Sequence, residues 1–262
     1  MTEPVLFNVE GAIATVVINR PGQRNALDAA TKTLLLERLG QAARSDSIRA
    51  VVLTGAGSAF CVGQDLGEHA QALAADPATA FDTVDEDYNP LITLLTTMPK
   101  PVVAAVNGTC VGAGLGLALA CDLRVISSAA KFGTAFAGIG LTCDSGLSVT
   151  LVRAVGQARA AQLMLLGSMF SAEEAVGWGI SGIIADPADT VEAAIELAVG
   201  LAAGPTRAFA ETKALLLAAS SATLAEALAA ESAAQHRLGL TSDHQDAVTA
   251  FLRKEKPTFS GA

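Results

Sequence analysis

Two glycine-bearing turns constrain the fold of this chain more than any other feature of its sequence. The first occupies residues 60–66 after the apolar run at 50–53, and the second occupies 106–116 after the strand-like run at 102–105. The second turn leads directly into an alanine- and leucine-rich helix at 115–120. N–H groups in the first turn of a helix have no internal acceptors, so such turns present free amides. Two strand ends that direct free amides toward one point form what an oxyanion hole requires.

The composition fits an α/β or helix-rich soluble enzyme. The chain has 262 residues, of which 51% are hydrophobic and 4% are aromatic. This length can bury a substantial core in one large domain or in a domain with an appendage. The net charge of −9 argues against nonspecific binding to nucleic acid or to anionic membranes, because both attract cationic surfaces. We therefore expect neither nucleic acid nor a membrane as a partner.

The charge-free stretch at residues 101–121 raises the question of a membrane span. It contains Pro101, Asn107 and four glycines, so we expect a buried strand, a turn and a buried helix instead. The amino terminus has neither a basic nor an apolar region, which predicts no signal peptide. The cysteines lack CxxC spacing, as is typical of free thiols in a reducing compartment, and the scattered histidines predict no metal site. The expected location is cytoplasmic.

The order of elements along the chain suggests two regions. Residues 5–9 and 13–19 are predicted to form a hairpin, and Asp28 is predicted to cap a helix that extends to residue 43. The alanine-rich, acidic segment at 68–87 is predicted to be mobile or solvent-facing. Beyond residue 187 the pattern is almost wholly helical. We therefore expect a core at 1–187 and a helical carboxyl-terminal region at 188–262.

Four segments, in this order, resemble the crotonase superfamily of enoyl-CoA hydratases and isomerases. Residues 19–28 resemble its early CoA-contacting loop, 60–66 and 107–122 its two oxyanion segments, and 256–259 its usual tail. The resemblance implies an α/β fold, a spiral of ββα units followed by an all-helical oligomerisation region. It also implies a homotrimer or a dimer of trimers and an acyl-CoA thioester as substrate. Coenzyme A is then part of the substrate, and no separate cofactor is expected.

The resemblance also assigns roles to residues. The N–H groups of Gln64 and Ala113 match the two oxyanion donors, which polarise the thioester carbonyl and stabilise an enolate. Arg24 on the early loop suits a CoA phosphate or the adenine side, with surface solvation as its alternative, and the same is expected more weakly of Lys254 and Lys256. Asp65 is expected mainly to hold the first turn. The other candidates for substrate contact are Ala26, Phe60, Val62, Gly63, Leu66, Gly112, Phe136 and Leu141, with Asp65 among them.

The departures from the family pattern concern the acid–base groups. Hydratases of the family use two glutamates, and this chain has Gly116 and Phe136 at those positions. Asp144 remains, at a position similar to the acid of Δ3,Δ2-enoyl-CoA isomerases and ring-1,2-epoxyphenylacetyl-CoA isomerases, which share the run at 63–66. One carboxylate suffices for a 1,3-proton shift, because it can take a proton at one carbon and return it at another. The resemblance therefore implies an isomerase of fatty acid or phenylacetate metabolism.

Several alternatives remain open at this level. Asp144 could merely cap the helix that begins near residue 146. The protein could be a non-catalytic acyl-CoA-binding pseudoenzyme, or a weak hydratase, thioesterase or decarboxylase that uses Asp144 or His69 on water. The glycines at 112–116 do not form a dinucleotide fingerprint, since Leu117 occupies the position of its third glycine and no acid lies near residue 134.

Overall fold

The computed structural model describes residues 3–262. Most of the strands form a six-stranded sheet with the order β1-β2-β3-β5-β7-β10, in which only the β1–β2 pair is antiparallel. Its strands are β1 (Val5–Glu10), β2 (Ile13–Ile18), β3 (Ala50–Gly55), β5 (Val102–Val106), β7 (Leu123–Ser127) and β10 (Ile183–Ala185). A smaller sheet contains β4 (Ala59–Cys61), β6 (Thr109–Val111), β8 (Lys131–Gly133) and β9 (Phe170–Ser171).

The two sheets are connected by a repeated chain path. The strands β3, β5 and β7 each leave the large sheet through a short turn and continue as β4, β6 and β8 of the small sheet. A helix follows each of these strand pairs, so the chain winds through successive ββα units. This is the spiral that the resemblance implies. It places the ends of β4 and β6 side by side, since these two strands pair in parallel.

The helices surround the sheets and then extend to the carboxyl terminus. They are α1 (Ala29–Arg44), α2 (Leu66–Ala75), α3 (Asn89–Thr97), α4 (Ala113–Ala120), α5 (Leu147–Val155), α6 (Gln157–Leu166), α7 (Ala172–Trp178), α8 (Thr190–Ala202), α9 (Thr206–Ala219), α10 (Leu224–Gly239) and α11 (Ser242–Arg253). Asp28 caps α1 as predicted, because its Oδ1 accepts a hydrogen bond of 2.8 Å from the Thr31 N–H. None of the helices in residues 3–262 is long and apolar enough to cross a membrane.

The core lies on both faces of the large sheet. One face packs against α1, α3 and α4 in the main hydrophobic cluster. Ala194, Ala198 and Ala202 of α8 cover the other face, where they contact buried side chains such as Val52 and Val103. The small alanine side chains let α8 approach the sheet closely. The boundary predicted near residue 187 falls between β10 and α8.

The segment at 68–87 is more ordered than its composition indicates. It begins within α2, which has no buried residues, so the prediction of a solvent-facing segment is confirmed for that helix. The segment then enters a π-helical turn at Val84–Tyr88, which continues into α3. Tyr88 is only 2% exposed. The end of this acidic segment is therefore anchored in the core beside the first glycine turn.

Candidate active site

The first glycine turn is held against the loop that precedes α1. Gly63 has a left-handed backbone, with φ of 86°. The Leu27 N–H donates to the Gly63 carbonyl at 2.8 Å, and the Asp65 N–H donates to the Leu27 carbonyl at 3.0 Å. These two bonds flank Gln64, whose own N–H donates to no backbone carbonyl within residues 3–262. The turn therefore presents one free amide.

Asp65 holds this turn through its side chain. Its Oδ1 accepts hydrogen bonds from the Gly67 N–H at 3.0 Å and the Glu68 N–H at 3.2 Å, so it caps α2. Its Oδ2 lies 3.0 Å from the Arg20 guanidinium. Burial acts to raise the pKa of Asp65, but these hydrogen bonds and the Arg20 charge outweigh it and lower that pKa. Asp65 therefore stays ionised as a cap and does not line the cavity.

The second glycine turn supplies the other amide. Gly112 is also left-handed, with φ of 58°, and its N–H donates to the Gly133 carbonyl at 3.0 Å. The helix α4 begins at the next residue, Ala113, whose N–H has no backbone acceptor in the described chain. A Cβ atom on Gly63 would lie 3.2 Å from the Ala113 nitrogen. The two turns thus approach closely because Gly63 has no side chain, and the two residues with free amides line the same cavity.

A cavity of about 440 Å³ opens at these two amides. It contains ten of the predicted site residues: Arg24, Ala26, Val62, Gly63, Gln64, Leu66, Gly112, Ala113, Phe136 and Asp144. It also contains residues that the sequence did not single out: Thr109, Val111, Thr134, Ala135, Ile139 and Met169. A smaller chamber of about 60 Å³ adjoins it and includes Leu141, His69, Phe81 and Tyr88. Both cavities share Gln64, Phe136 and Asp144, and the lining is mainly apolar.

Besides Asp65, three predicted contacts lie outside the lining of both cavities. Phe60 is fully buried in the main hydrophobic cluster, because its side chain on β4 points into the core. Lys254 ends α11 and Lys256 follows it, and both are exposed and absent from the lining of the cavity. His69 lies at the smaller chamber, where its ring meets Phe81 edge-on with centroids 5.1 Å apart.

Asp144 is the acidic residue of the cavity. It lies in the loop between the 3₁₀ turn at Phe136–Ile139 and α5, and it accepts a hydrogen bond of 2.8 Å from the Ser145 hydroxyl. The cap of α5 is Gly146, with no side-chain hydrogen bond, so the interpretation of Asp144 as a helix cap is wrong. Burial raises the pKa of Asp144, because the charged form loses hydration, and the Ser145 bond offsets this only in part.

Gly116 provides the space for the Asp144 loop. A Cβ atom on Gly116 would lie 2.7 Å from the Ser145 carbonyl oxygen and closer still to the Ser145 Cβ. Ser145 is 1% exposed and has a left-handed backbone. The side chain that hydratases carry at this position is therefore sterically excluded here. Phe136, at the other glutamate position, contributes an apolar wall.

A polar network behind the first turn was missed at the sequence level. The Tyr88 hydroxyl and the Lys32 ammonium both face Oε1 of Gln64, and the ammonium lies 3.1 Å from Asp87. The Lys32 side chain is only 2% exposed. The sequence signal that could have shown its burial is the position of Lys32 on α1. Lys32 precedes the buried Leu35 by three residues, so the two share one face of the helix. Its pairing with Asp87 is long-range and leaves no local pattern.

The thiol within the first glycine turn, that of Cys61, is buried and unreactive. Burial raises the pKa of Cys61 to about 12, although a hydrogen bond from the Gly63 N–H acts in the opposite direction. A thiol with this pKa carries no nucleophilic thiolate near neutral pH. Cys61 is therefore not a candidate nucleophile for this site.

Comparison with known proteins agrees with this geometry. The sequence profile of the family described as Enoyl-CoA hydratase/isomerase matches residues 8–262. The 1,2-epoxyphenylacetyl-CoA isomerase of Escherichia coli (strain K12) is 38% identical over 261 residues, covering 100% of both chains. The short-chain-enoyl-CoA hydratase of Clostridium acetobutylicum is 33% identical over 253 residues, covering 96% of this chain and 95% of the relative.

A solved structure shows the same fold. A Mycobacterium abscessus crystal structure in the enoyl-CoA hydratase/isomerase class has a TM-score of 0.94 and 48% identity, covering 98% of this chain and 100% of that one. Fold, free amides and cavity together define an enzyme class that acts on CoA thioesters. This chain belongs to the enoyl-CoA hydratase/isomerase family. Its relatives include both isomerases and hydratases, so the family alone leaves the particular reaction open.

Proposed function

We propose that this protein is an isomerase that moves the double bond of an enoyl-CoA thioester. The observation that carries the proposal is the pairing of two free amides with a single carboxylate. Among residues 3–262, Asp144 is the one acidic residue that lines the 440 Å³ cavity. A 1,3-proton shift needs one group that accepts and returns a proton, whereas hydration in this family uses two carboxylates.

The mechanism uses the fold for activation and Asp144 for proton transfer. The thioester oxygen accepts hydrogen bonds from the N–H groups of Gln64 and Ala113, which lowers the energy of the enolate. The Asp144 carboxylate takes a proton from the α carbon of a 3-enoyl thioester, and the resulting dienolate spreads its charge onto the oxygen. Asp144 then returns the proton to the γ carbon, which leaves the double bond between the α and β carbons. Its raised pKa makes the carboxylate a better base for this step.

The relatives support the isomerase proposal without deciding it. The E. coli relative that aligns over the full length is named 1,2-epoxyphenylacetyl-CoA isomerase. Hydratase relatives also align over most of this chain. Hydration is disfavoured in this chain because Ser145 occupies the space that a glutamate at position 116 would need.

The surroundings of the site suggest how substrate and subunits are arranged. Arg24 lines the cavity and its guanidinium forms no ion pair with residues 3–262, which suits a CoA phosphate. Exposed apolar side chains on α9–α11 and between α10 and α11 support a trimer or a dimer of trimers: Leu216, Leu224, Leu228, Leu240, Phe251 and Leu252. The cysteines are free thiols, which fits the proposed cytoplasmic location.

The test is a product screen with wild-type protein and Asp144→Ala. A 3-enoyl-CoA and a 2-enoyl-CoA are incubated with each protein, and the products are separated chromatographically. The proposal expects wild type to interconvert the two esters and the variant to do so far more slowly. Accumulation of a 3-hydroxyacyl-CoA or of free CoA would instead identify a hydratase or a thioesterase. Binding without any product would identify a pseudoenzyme.

A further inference from the structure

We propose that the side-chain amide of Gln64 selects acyl groups that carry an oxygen atom. In this proposal its Nε2 donates a hydrogen bond to a hydroxyl, ether, epoxide or carbonyl oxygen on the acyl part of the substrate. The inference deepens the proposed isomerase function and rests on the same cavity. It is distinct from the role of the Gln64 backbone N–H, which the proposed function assigns to the thioester oxygen.

The orientation of the Gln64 carboxamide is fixed by its neighbours. The Lys32 Nζ lies 3.5 Å from Oε1, and the Tyr88 hydroxyl donates to the same atom. A lysine ammonium has donors only, so the atom that faces it must be the oxygen of the carboxamide. Burial raises the pKa of Tyr88 well above its usual value, so the phenol keeps the proton that it donates. Nε2 therefore lies on the opposite side of the planar group.

The groups that orient the Gln64 carboxamide are themselves fixed by an ion pair, hydrogen bonds and a cation–π contact. The Lys32 ammonium pairs with Asp87 at 3.1 Å and donates to Thr83, and the Thr83 hydroxyl donates to Asp87 at 2.7 Å. The ammonium also lies 5.2 Å from the centre of the Tyr88 ring. Because every member has a partner, the network restricts Gln64 to one orientation. A side chain that served only as an apolar wall of the cavity would need no such hydrogen-bond network.

The Nε2 donor is unpaired, and Gln64 lies at a chamber whose other lining is mainly apolar, with His69, Thr83, Tyr88 and Asp144 as its polar residues. No acceptor within residues 3–262 forms a hydrogen bond with it, and Gln64 lines both the main cavity and the smaller chamber. The neighbours of Gln64 at the smaller chamber include Leu66, Phe136 and Leu141. A plain hydrocarbon chain in this chamber would cover the donor without pairing it, which costs about 1–3 kcal/mol. An oxygen on the acyl group removes that cost and supplies a hydrogen bond.

The test compares acyl groups that differ by one oxygen and need no turnover. Calorimetry measures the affinity of phenylacetyl-CoA and of its 2-, 3- and 4-hydroxy derivatives for wild-type protein. We expect at least one hydroxy derivative to bind about fivefold more tightly than the parent, the usual scale for one net hydrogen bond. Equal or weaker binding of all three derivatives overturns the proposal.

Variants assign the preference to the side chain. Gln64→Met keeps the backbone N–H and the length of the side chain but removes Nε2, so it should abolish the preference. Tyr88→Phe removes one group that orients the carboxamide and should reduce it. Gln71→Met on the exposed face of α2 is the matched control and should leave it unchanged. A preference that survives in Gln64→Met contradicts the proposal, and Tyr88→Phe decides the question if Gln64→Met does not fold.

The outcome is separable from that of the proposed function. A wild-type protein that isomerises 3-enoyl-CoA without any preference among the phenylacetyl esters contradicts only the role of Gln64. A protein that shows the preference, and loses it in Gln64→Met, but isomerises nothing supports the donor and contradicts the isomerase.

Discussion

The cavity has two halves that are built differently. One half is backbone: the free amides at Gln64 and Ala113, brought together by Gly63 and Gly112 at the ends of paired strands. The other half is side chain: Asp144 on its loop and the Gln64 carboxamide with its network. The backbone half depends on strand pairing and glycine positions, so it is a property of the fold. The side-chain half can change without disturbing it, which explains how one fold supports both hydratases and isomerases.

Gly116 is where the two halves meet. It lies in α4, the helix that presents the Ala113 amide, and it packs directly on Ser145 beside Asp144. The absence of a side chain at Gly116 therefore removes one of the two glutamates that hydratases use. It also makes room for the loop that carries Asp144. If the two halves are separable, a change in one half should leave the other intact.

The largest effect is expected for Gly116→Glu. The new side chain should displace Ser145 and move Asp144, and a shift of about 1 Å at a catalytic group can cost about 100-fold in rate. Isomerisation of a 3-enoyl-CoA should fall by at least that factor. Hydration of crotonyl-CoA should stay very low in both proteins, since wild type has Gly116 and Phe136 at the two glutamate positions. Gly177→Glu, at an exposed glycine with open space around it, is the control.

A hydration turnover of about 10 per second or more, the median for enzymes, would contradict this account. In wild type it would reveal another base. In Gly116→Glu it would show that the Asp144 loop yields to the new side chain without loss of the site.

Arg24→Ala should weaken binding without changing the chemistry. Removal of a charge-assisted hydrogen bond to a phosphate costs about 1.5–3 kcal/mol, so the affinity for acetyl-CoA should fall roughly tenfold or more. The effect should shrink at high salt, where screening weakens the wild-type contact. Calorimetry measures both proteins, with Arg44→Ala, an exposed arginine at the end of α1, as the control. Millimolar or absent binding by wild type would contradict the role of Arg24.

The smallest effect concerns stability. The pKa of Asp144 is raised from 3.8 by burial, so the folded chain binds this proton more tightly than the unfolded chain does. The free energy of unfolding therefore falls as pH rises from 3.8 through the folded pKa, and the loss is complete above it. Asp144→Asn removes the ionisation and should raise Tm at pH 7.5, with the gain disappearing toward pH 4.

Asp65 should show the opposite dependence of stability on pH. Its pKa is lowered in the fold, so its ionised form stabilises the protein at neutral pH. Asp65→Ala should cost about 1 kcal/mol, the usual value of a helix cap. Thermal unfolding across pH compares both variants with wild type and with Asp82→Asn, an exposed control. A lower Tm for Asp144→Asn at pH 7.5 would mean that Asp144 supports the fold.

The two halves also differ in how far the sequence predicts them. Strands, glycines and helix starts are local signals, and they placed the two glycine turns and the cap at Asp28 where the structure has them. The assignment of the two amides to Gln64 and Ala113 came from the family resemblance. Phe60 was misplaced because its turn motif does not show which face of the short β4 is buried. The pairing of Lys32 with Asp87 joins two segments that meet only through the tertiary fold. Such side-chain networks leave no periodic pattern to recognise.

The comparison of the two halves is tested most directly by Asp144→Asn on a 3-enoyl-CoA. The substitution keeps the size of the side chain and leaves both amides in place. The rate of isomerisation should fall by about 100-fold or more, the usual scale for general acid–base catalysis. The affinity for acetyl-CoA, measured in parallel, should remain that of wild type. A variant that isomerises as fast as wild type would contradict the assignment of Asp144 as the proton carrier.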